Sequence, residues 1–248
     1  MRLFGLIGFP LGHSRSAEYF NSRFARDRIT DARYELFPMR GLQELPTLLS
    51  DHPELTGLNV TIPFKEKIIP LLTGIDPAAR EIGSVNVVLI KRKGTETGLT
   101  GFNTDAEGFL SSLPDIASHR QALVLGTGGA ARSVAWALAK AGVRMLFVSR
   151  TPNGSDEIGY HALEEFPEII REHTLIVNTT PVGMYPHTNI CPRIPFVNIG
   201  KEHFLYDLVY NPSQTLFLKK GAGNGARTQS GEEMFLKQAE LSYSLFLG

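Results

Sequence analysis

The chain is predicted to be an α/β protein of two α/β domains, the first built on a mixed sheet. Three features of its 248 residues carry this reading. Short apolar runs alternate with helix-patterned stretches along its length. Residues 84–103, "SVNVVLIKRKGTETGLTGFN", read as an antiparallel pair joined by a Lys/Gly-rich turn. At 126–129 a glycine-rich turn separates a strand from a helix and opens a second strand–helix series.

The elements follow in order. "LFGLIG" (3–8) is a first strand leaving through Pro10 and Gly12. "SAEYFNSRFARD" (16–27) puts Tyr19, Phe20 and Phe24 near helical spacing. "ARYELFP" (32–38) is a strand, "LQELPTLLS" (42–50) a broken helix, and "LTGLNVTI" (55–62) the third strand. In the second series "ALVL" is a strand. A helix follows from about Ala130 to Ala141, with Gly142 as its stop. "MLFVS", "TLIVNTT" (174–180) and "HFLYDLVY" (203–210) are further strands, and "GEEMFLKQAELSYSLFL" is a closing helix. The expected division is 1–102 plus 231–248 as one domain and 103–230 as the other, the last helix packing back on the first domain.

Composition excludes several classes. Hydrophobic residues make up 42% and charged residues 20%, a globular mixture. The formal net charge is zero, so no basic field points to nucleic acid or an anionic membrane. One cysteine, Cys191, makes a disulfide framework impossible and is compatible with the cytoplasm. No apolar stretch approaches the ~20 residues of a membrane span. The seven histidines show no metal-type spacing, so no metal is expected.

"LGTGGAA" places Gly126, Gly128 and Gly129 between a strand and a helix, the arrangement of a Rossmann-like dinucleotide site. The first glycine permits the turn. The next admits a pyrophosphate, which meets free N–H groups at the helix N-terminus. The match to GxGxxG is incomplete, and a tight structural turn is the competing reading. At the end of the next strand stand Ser149, Arg150 and Thr151, with no acid to accept from a ribose 2′-hydroxyl. Arg150 suits a 2′-phosphate, hence NADP rather than NAD.

Polar groups cluster in the first half. In "NVTIPFK" (59–65) alternation points Asn59 and Thr61 to one face, and Pro63 ends the strand so that Lys65 can reach the same place. In "GFPLGHSRS" (8–16) Ser14 and Ser16 either bind a polyol or carboxylate or close the next helix. His13 reads as a structural hydrogen-bonder. Asn86 opens an apolar strand, and Asp105 stands at the start of a helix, where a carboxylate is also favoured for the helix alone. Thr179, Thr180 and Val182 follow a strand of the second domain, and Met234 and Gln238 lie four apart on a helix.

Together "GFPLGHSRS", "NVTIPFK", "SVNVV", "GFNTD", "GTGGAAR", "SRT", "NTTPVGM", "YDLVY" and "GEEMFLKQA" resemble the shikimate dehydrogenase family, in order and over nearly the whole chain. The resemblance implies NADP-dependent interconversion of shikimate and 3-dehydroshikimate in chorismate biosynthesis. It implies an N-terminal substrate domain, a Rossmann-like nucleotide domain, and an active-site cleft between them; two domains with glycine turns and two crossings lead us to expect that cleft to close. Residue by residue, it implies Ser14 and Ser16 at the substrate carboxylate and Thr61, Asn86 and Gln238 at its hydroxyls. Lys65 with Asp105 is the catalytic pair, and Tyr210 is similar to a substrate-side tyrosine of the family; Asn59 is expected on the substrate side from its place on the strand face of Thr61 alone. Gly126, Gly128, Gly129 and Ala130 would hold the pyrophosphate, Arg150 with Ser149 the 2′-phosphate, and Met184, Gly231 and Met234 would lie near the nicotinamide; Thr151, beside Arg150, and Thr179, where a nucleotide crevice would lie, are further cofactor-binding candidates. Ser149 and Ser230 depart from the asparagine or acid usual there, and 151–173 is short and atypical for the family. The expected partner is a small-molecule substrate, with no nucleic acid and no membrane, for a cytoplasmic monomer or homodimer. A quinate/shikimate dehydrogenase of broader scope and a non-catalytic ligand sensor are the alternatives. The presence of both Lys65 and Asp105 argues against the sensor.

Overall fold

The structure, a computed structural model, describes residues 1–12, 14–114 and 116–248. The chain divides into two compact units, Met1–Asp105 with Gln238–Gly248, and Ala106–Lys237. The seams fall inside two helices, three to seven residues beyond the boundaries read from sequence.

In the first unit the strands are β1 (Arg2–Gly8), β2 (Ala32–Pro38), β3 (Leu55–Val60), β4 (Gly74–Ile75), β5 (Val87–Lys93) and β6 (Glu96–Phe102). They form a mixed sheet in the order β2-β1-β3-β5-β6-β4. β1 runs parallel to both β2 and β3, and β5 is antiparallel to β3 and β6. Helices α1 (Ser16–Arg26), α2 (Leu45–Asp51) and α3 (Pro77–Ile82) connect them. α2 is preceded by a short 3₁₀ turn at Leu42–Glu44, which is the break expected at 42–50.

Both faces of this sheet are covered, so β1 is apolar without interruption. Leu3 and Ile7 join Leu55, Leu58 and Val60 in one buried cluster. Phe4 and Leu6 join Phe20 and Phe24 of α1 and Ala239, Tyr243 and Phe246 near the C-terminus in another. Phe246 stacks on Phe4 at 4.7 Å between ring centroids. Its ring lies where a side chain at Gly57 would stand, 2.7 Å from an added Cβ, which explains a glycine inside β3.

The second unit carries β7 (Gln121–Leu125), β8 (Arg144–Ser149), β9 (Glu157–Gly159), β10 (Leu175–Asn178), β11 (Phe204–Asp207) and β12 (Arg227–Ser230). All pair in parallel, in the order β12-β11-β10-β7-β8-β9. This is the doubly wound order, whose direction reverses between β7 and β10. Its helices are α4 (Asp105–Ser112), which starts on the seam, α5 (Gly129–Lys140), α6 (Tyr160–Glu165), α7 (Pro167–Glu172) and α8 (Leu216–Gly223). α9 (Glu232–Leu247) crosses the other seam. α5 stops at Gly142, whose φ is +76°. The atypical stretch after β8 holds a three-residue edge strand and two six-residue helices rather than one crossover helix. Among the described residues no helix is long and apolar enough to cross a membrane, and no group of three metal-type side chains occurs.

Candidate active site

The first unit places its polar groups around the exit of β3. The strand ends at Val60, two residues before the expected Ile62. Thr61 N–H still reaches Ile7 O at 2.9 Å, and Phe64 N–H then turns back onto Thr61 O at 2.9 Å. Phe64 is buried and anchors this turn, so the next residue, Lys65, is held in place.

Lys65 Nζ donates to Asp105 Oδ2 at 2.6 Å. Their side chains are 15% and 6% exposed, so water does little to screen them. Asn86 Nδ2 donates to the other carboxylate oxygen at 2.9 Å, and also to Thr104 Oγ1 at 2.9 Å. Thr104 N–H returns to Asn86 Oδ1 at 2.8 Å, which fixes the amide's orientation. Gln238 Oε1 lies 3.5 Å from Asn86 Nδ2. Lys65, Asn86, Asp105 and Gln238 are thus one constellation, although Lys65 and Asp105 are 40 positions apart in sequence.

Asn59 is a different case. It is buried, and its Oδ1 accepts from Tyr34 Oη at 2.7 Å. Its Nδ2 donates to Asn86 O at 3.3 Å and Ser242 Oγ at 3.1 Å. The expectation that Asn59 offers its amide to a ligand beside Thr61 therefore needs correction. The amide supports Asn86 from beneath. Tyr34, Thr104 and Ser242 belong to this buried network and were not singled out from sequence. One signal was available, since Ser242 lies one turn beyond Gln238 on the closing helix.

Ser14 Oγ donates to Ser16 Oγ at 3.1 Å and accepts from Ser16 N–H at 3.2 Å. Ser14 is half-buried and holds Ser16, whereas α1 is capped at Arg15 without a side-chain bond, so neither serine is its N-cap. His13 lies outside the described residues.

In the second unit the glycine turn joins β7 to α5 at the point where strand order reverses. Gly126 has φ +106°, a conformation side chains rarely adopt. An added Cβ there would meet Thr179 Oγ1 at 2.8 Å and Thr180 Cγ2 at 2.9 Å. Gly128 caps α5 without a side-chain bond, and a Cβ on it would meet nothing within 4 Å. The first N–H groups of α5, from Gly129 and Ala130, have no side-chain cap, and no acid stands in that turn. These are the properties of an anion cradle. Ser149 ends β8 nearly buried, and its Oγ accepts from Thr151 N–H at 3.2 Å. Arg150 between them is exposed. A dinucleotide with a 2′-phosphate fits this donor set.

The remaining predicted residues of this unit are placed as follows. Thr179 Oγ1 donates to Leu125 O at 2.7 Å, beside Gly126. Met184 is exposed. Gly231 packs on the β11 exit, where a Cβ would lie 2.2 Å from Leu208 O. Met234 is buried. Tyr210 packs on Phe235, ring centroids 4.9 Å apart.

A family model described as the shikimate dehydrogenase substrate binding domain matches residues 6–88. A shikimate dehydrogenase (NADP(+)) of Carboxydothermus hydrogenoformans is 35% identical over 264 residues, covering 100% of this chain and 92% of its own. A solved shikimate 5-dehydrogenase from Thermus thermophilus, in complex with NADP(H) and shikimate, is similar at TM-score 0.82 and 34% identity, over 99% of this chain and 93% of that one. A quinate dehydrogenase from Corynebacterium glutamicum in complex with NAD is similar at TM-score 0.83 and 27% identity, over 99% and 93% of the two chains. With full-length relatives at this identity and the Lys65–Asp105 constellation in place, the chain belongs to the shikimate dehydrogenase family.

Proposed function

We propose that this chain interconverts shikimate and 3-dehydroshikimate with NADP as the redox partner. The observation that carries the reading is the buried Lys65–Asp105 pair, held from one side by Asn86. When bound, NADP accepts or returns a hydride. The chain's own residues handle the substrate oxygen. Lys65 Nζ faces the oxygen that alternates between hydroxyl and carbonyl, and either exchanges its proton or neutralises the charge that grows on it. Asp105 keeps the ammonium in place, so the two act as one unit. Ser14 and Ser16 bind the carboxylate, Thr61, Asn86 and Gln238 the ring hydroxyls, with Tyr210 on the substrate side. Gly126, Gly128, Gly129 and Ala130 take the pyrophosphate, and Arg150 with Ser149 and Thr151 the 2′-phosphate. Thr179, Met184, Gly231 and Met234 lie on the nicotinamide side. Arg150, exposed at the end of β8 with no acid at its neighbours, supports NADP over NAD.

Four rates test this. The chain is mixed with NADP or NAD, and with shikimate or quinate, and reduced nicotinamide is followed by absorbance. Shikimate with NADP should be fastest by at least about tenfold. A faster rate with quinate and NAD would overturn the assignment in favour of the quinate enzyme.

A further inference from the structure

Asp207, at the end of β11, is fully buried, and among the described residues it has no salt-bridge partner. An unpaired buried carboxyl is unfavourable unless donors converge on it. Here three do. Oδ1 accepts from Asn178 Nδ2 at 2.9 Å and Val209 N–H at 3.1 Å. Oδ2 accepts from Thr215 Oγ1 at 2.6 Å. Thr215 is also the N-cap of α8, accepting from Leu218 N–H at 3.3 Å.

The consequence runs outward from Asn178. An amide can stand either way round, and a carboxylate accepts but does not donate. With Nδ2 turned to Asp207, Asn178 Oδ1 must face Thr180. It accepts there from Thr180 Oγ1 at 2.6 Å and from Thr180 N–H at 3.1 Å. Because the Thr180 hydroxyl donates to Asn178, its lone pairs face Val182 N–H, which reaches it at 3.3 Å. Asp207 holds the amide this way round together with Thr180 N–H on Oδ1 and Val182 O, 3.4 Å from Nδ2, so carboxyl and loop fix one donor sense jointly. Thr180, in the middle of that chain, is the neighbour of the glycine turn, because its Cγ2 lies 2.9 Å from the Cβ position of Gly126. The other side of the loop rests on Thr215, 3.7 Å from the Cβ position of Gly183.

We propose that Asp207 is a positioning residue for cofactor binding: its carboxyl fixes the Asn178 amide and, through Thr180, holds the loop 178–184 against the turn at Gly126. The inference rests on the reading above that this turn holds NADP. Burial pushes the Asp207 pKa up to about 6, and a neutral pH leaves it ionised and able only to accept.

The test uses the full chain with Asp207→Leu, Thr180→Val and the double variant. NADP affinity is titrated directly, alongside KM for both substrates, kcat and thermal unfolding. Each single variant should raise the NADP dissociation constant by about tenfold, with KM for shikimate and kcat nearly unchanged. The double variant should be no worse than the poorer single, since both break one chain of bonds. Thr180→Val binding NADP as tightly as wild type, or losses that add in full, would overturn the positioning role. Should Asp207→Leu not fold, Asp207→Asn takes its place in the same cycle, because its one oxygen can still face Asn178; it should then recover most of the affinity, and full loss would count against the role. A wild-type chain that binds no NADP overturns the cofactor reading itself, whereas normal wild-type binding with unaltered variants removes the role of Asp207 alone.

Discussion

Lys65→Met separates what the ion pair does for folding from what it does for chemistry. Methionine keeps the length and most of the packing of lysine and removes the charge. The partner left behind is Asp105, only 6% exposed, with the 2.6 Å bond from Lys65 gone and the Asn86 bond at 2.9 Å remaining. Removing one member of a buried pair costs about 3–5 kcal/mol, because the other charge stays desolvated. Turnover should fall by about 10²–10⁴-fold, the usual contribution of a positioned proton-transfer group. Adding Asp105→Asn removes the orphaned charge while leaving an oxygen for Asn86. The double variant should therefore regain most of the lost stability and none of the turnover. Urea unfolding gives the first quantity and reduced-nicotinamide absorbance the second, with NADP affinity as a control that stays within about twofold. Near-normal turnover in Lys65→Met would refute the assignment, and turnover restored in the double variant would show that the pair acts only through stability.

Other consequences follow from the second unit and from Asp207. Arg150→Gln should raise KM for NADP by about 10–100-fold, the loss of one charge-assisted contact, and leave the slower NAD reaction unchanged. Gly126→Ala forces a side chain into φ +106° and against Thr179 and Thr180, so it should lower stability by about 1–3 kcal/mol and abolish NADP binding. Gly128→Ala meets open space, so it should fold normally and lose only NADP affinity; equal affinity would place the pyrophosphate elsewhere. For Asp207 the pKa rises from 3.8 to about 6 on folding, chiefly by desolvation. A raised carboxyl stabilises the fold below its unfolded value and loses that contribution as pH climbs through the folded one. From about pH 3 to pH 8 the wild type should therefore lose about 3 kcal/mol relative to Asp207→Asn, read as the difference between two unfolding curves against pH. A flat difference would mean that Asp207 titrates normally.

The strands that bury both faces were legible because each carries an apolar run, as in β1, β7 and β10, broken only by a polar residue at one end. β4 and β12 were not. β4 is two half-buried residues, and β12 reads "RTQS", an edge strand with polar side chains and no periodic signal. The short α6 and α7 fell below the length at which a helical stripe shows. At the site, residue types were legible and directions were not. The reading of "NVTIPFK" found the polar groups but could not tell that the amide of Asn59 faces Tyr34 and Ser242, partners 25 and 183 positions away. Asp207 was hidden for the same reason. Inside "FLYDLVY" it looks like one polar residue in a strand, and the groups that define it come from β10 and the start of α8.

The two units solve one local problem in the same way. Each has an asparagine whose Nδ2 donates at 2.9 Å to a buried aspartate, Asn86 to Asp105 and Asn178 to Asp207. Each amide oxygen is held by a threonine N–H, from Thr104 and Thr180. What differs is the partner of the second carboxylate oxygen. At Asp105 it is Lys65 Nζ, at 2.6 Å, so the carboxyl is one half of a buried ion pair. At Asp207 it is the Thr215 hydroxyl, which neutralises nothing, so the carboxyl can orient its neighbours but has no charge partner through which to move a proton. On the roles proposed above, that one partner, lysine or threonine, would decide whether the same asparagine–aspartate unit reacts or only fastens.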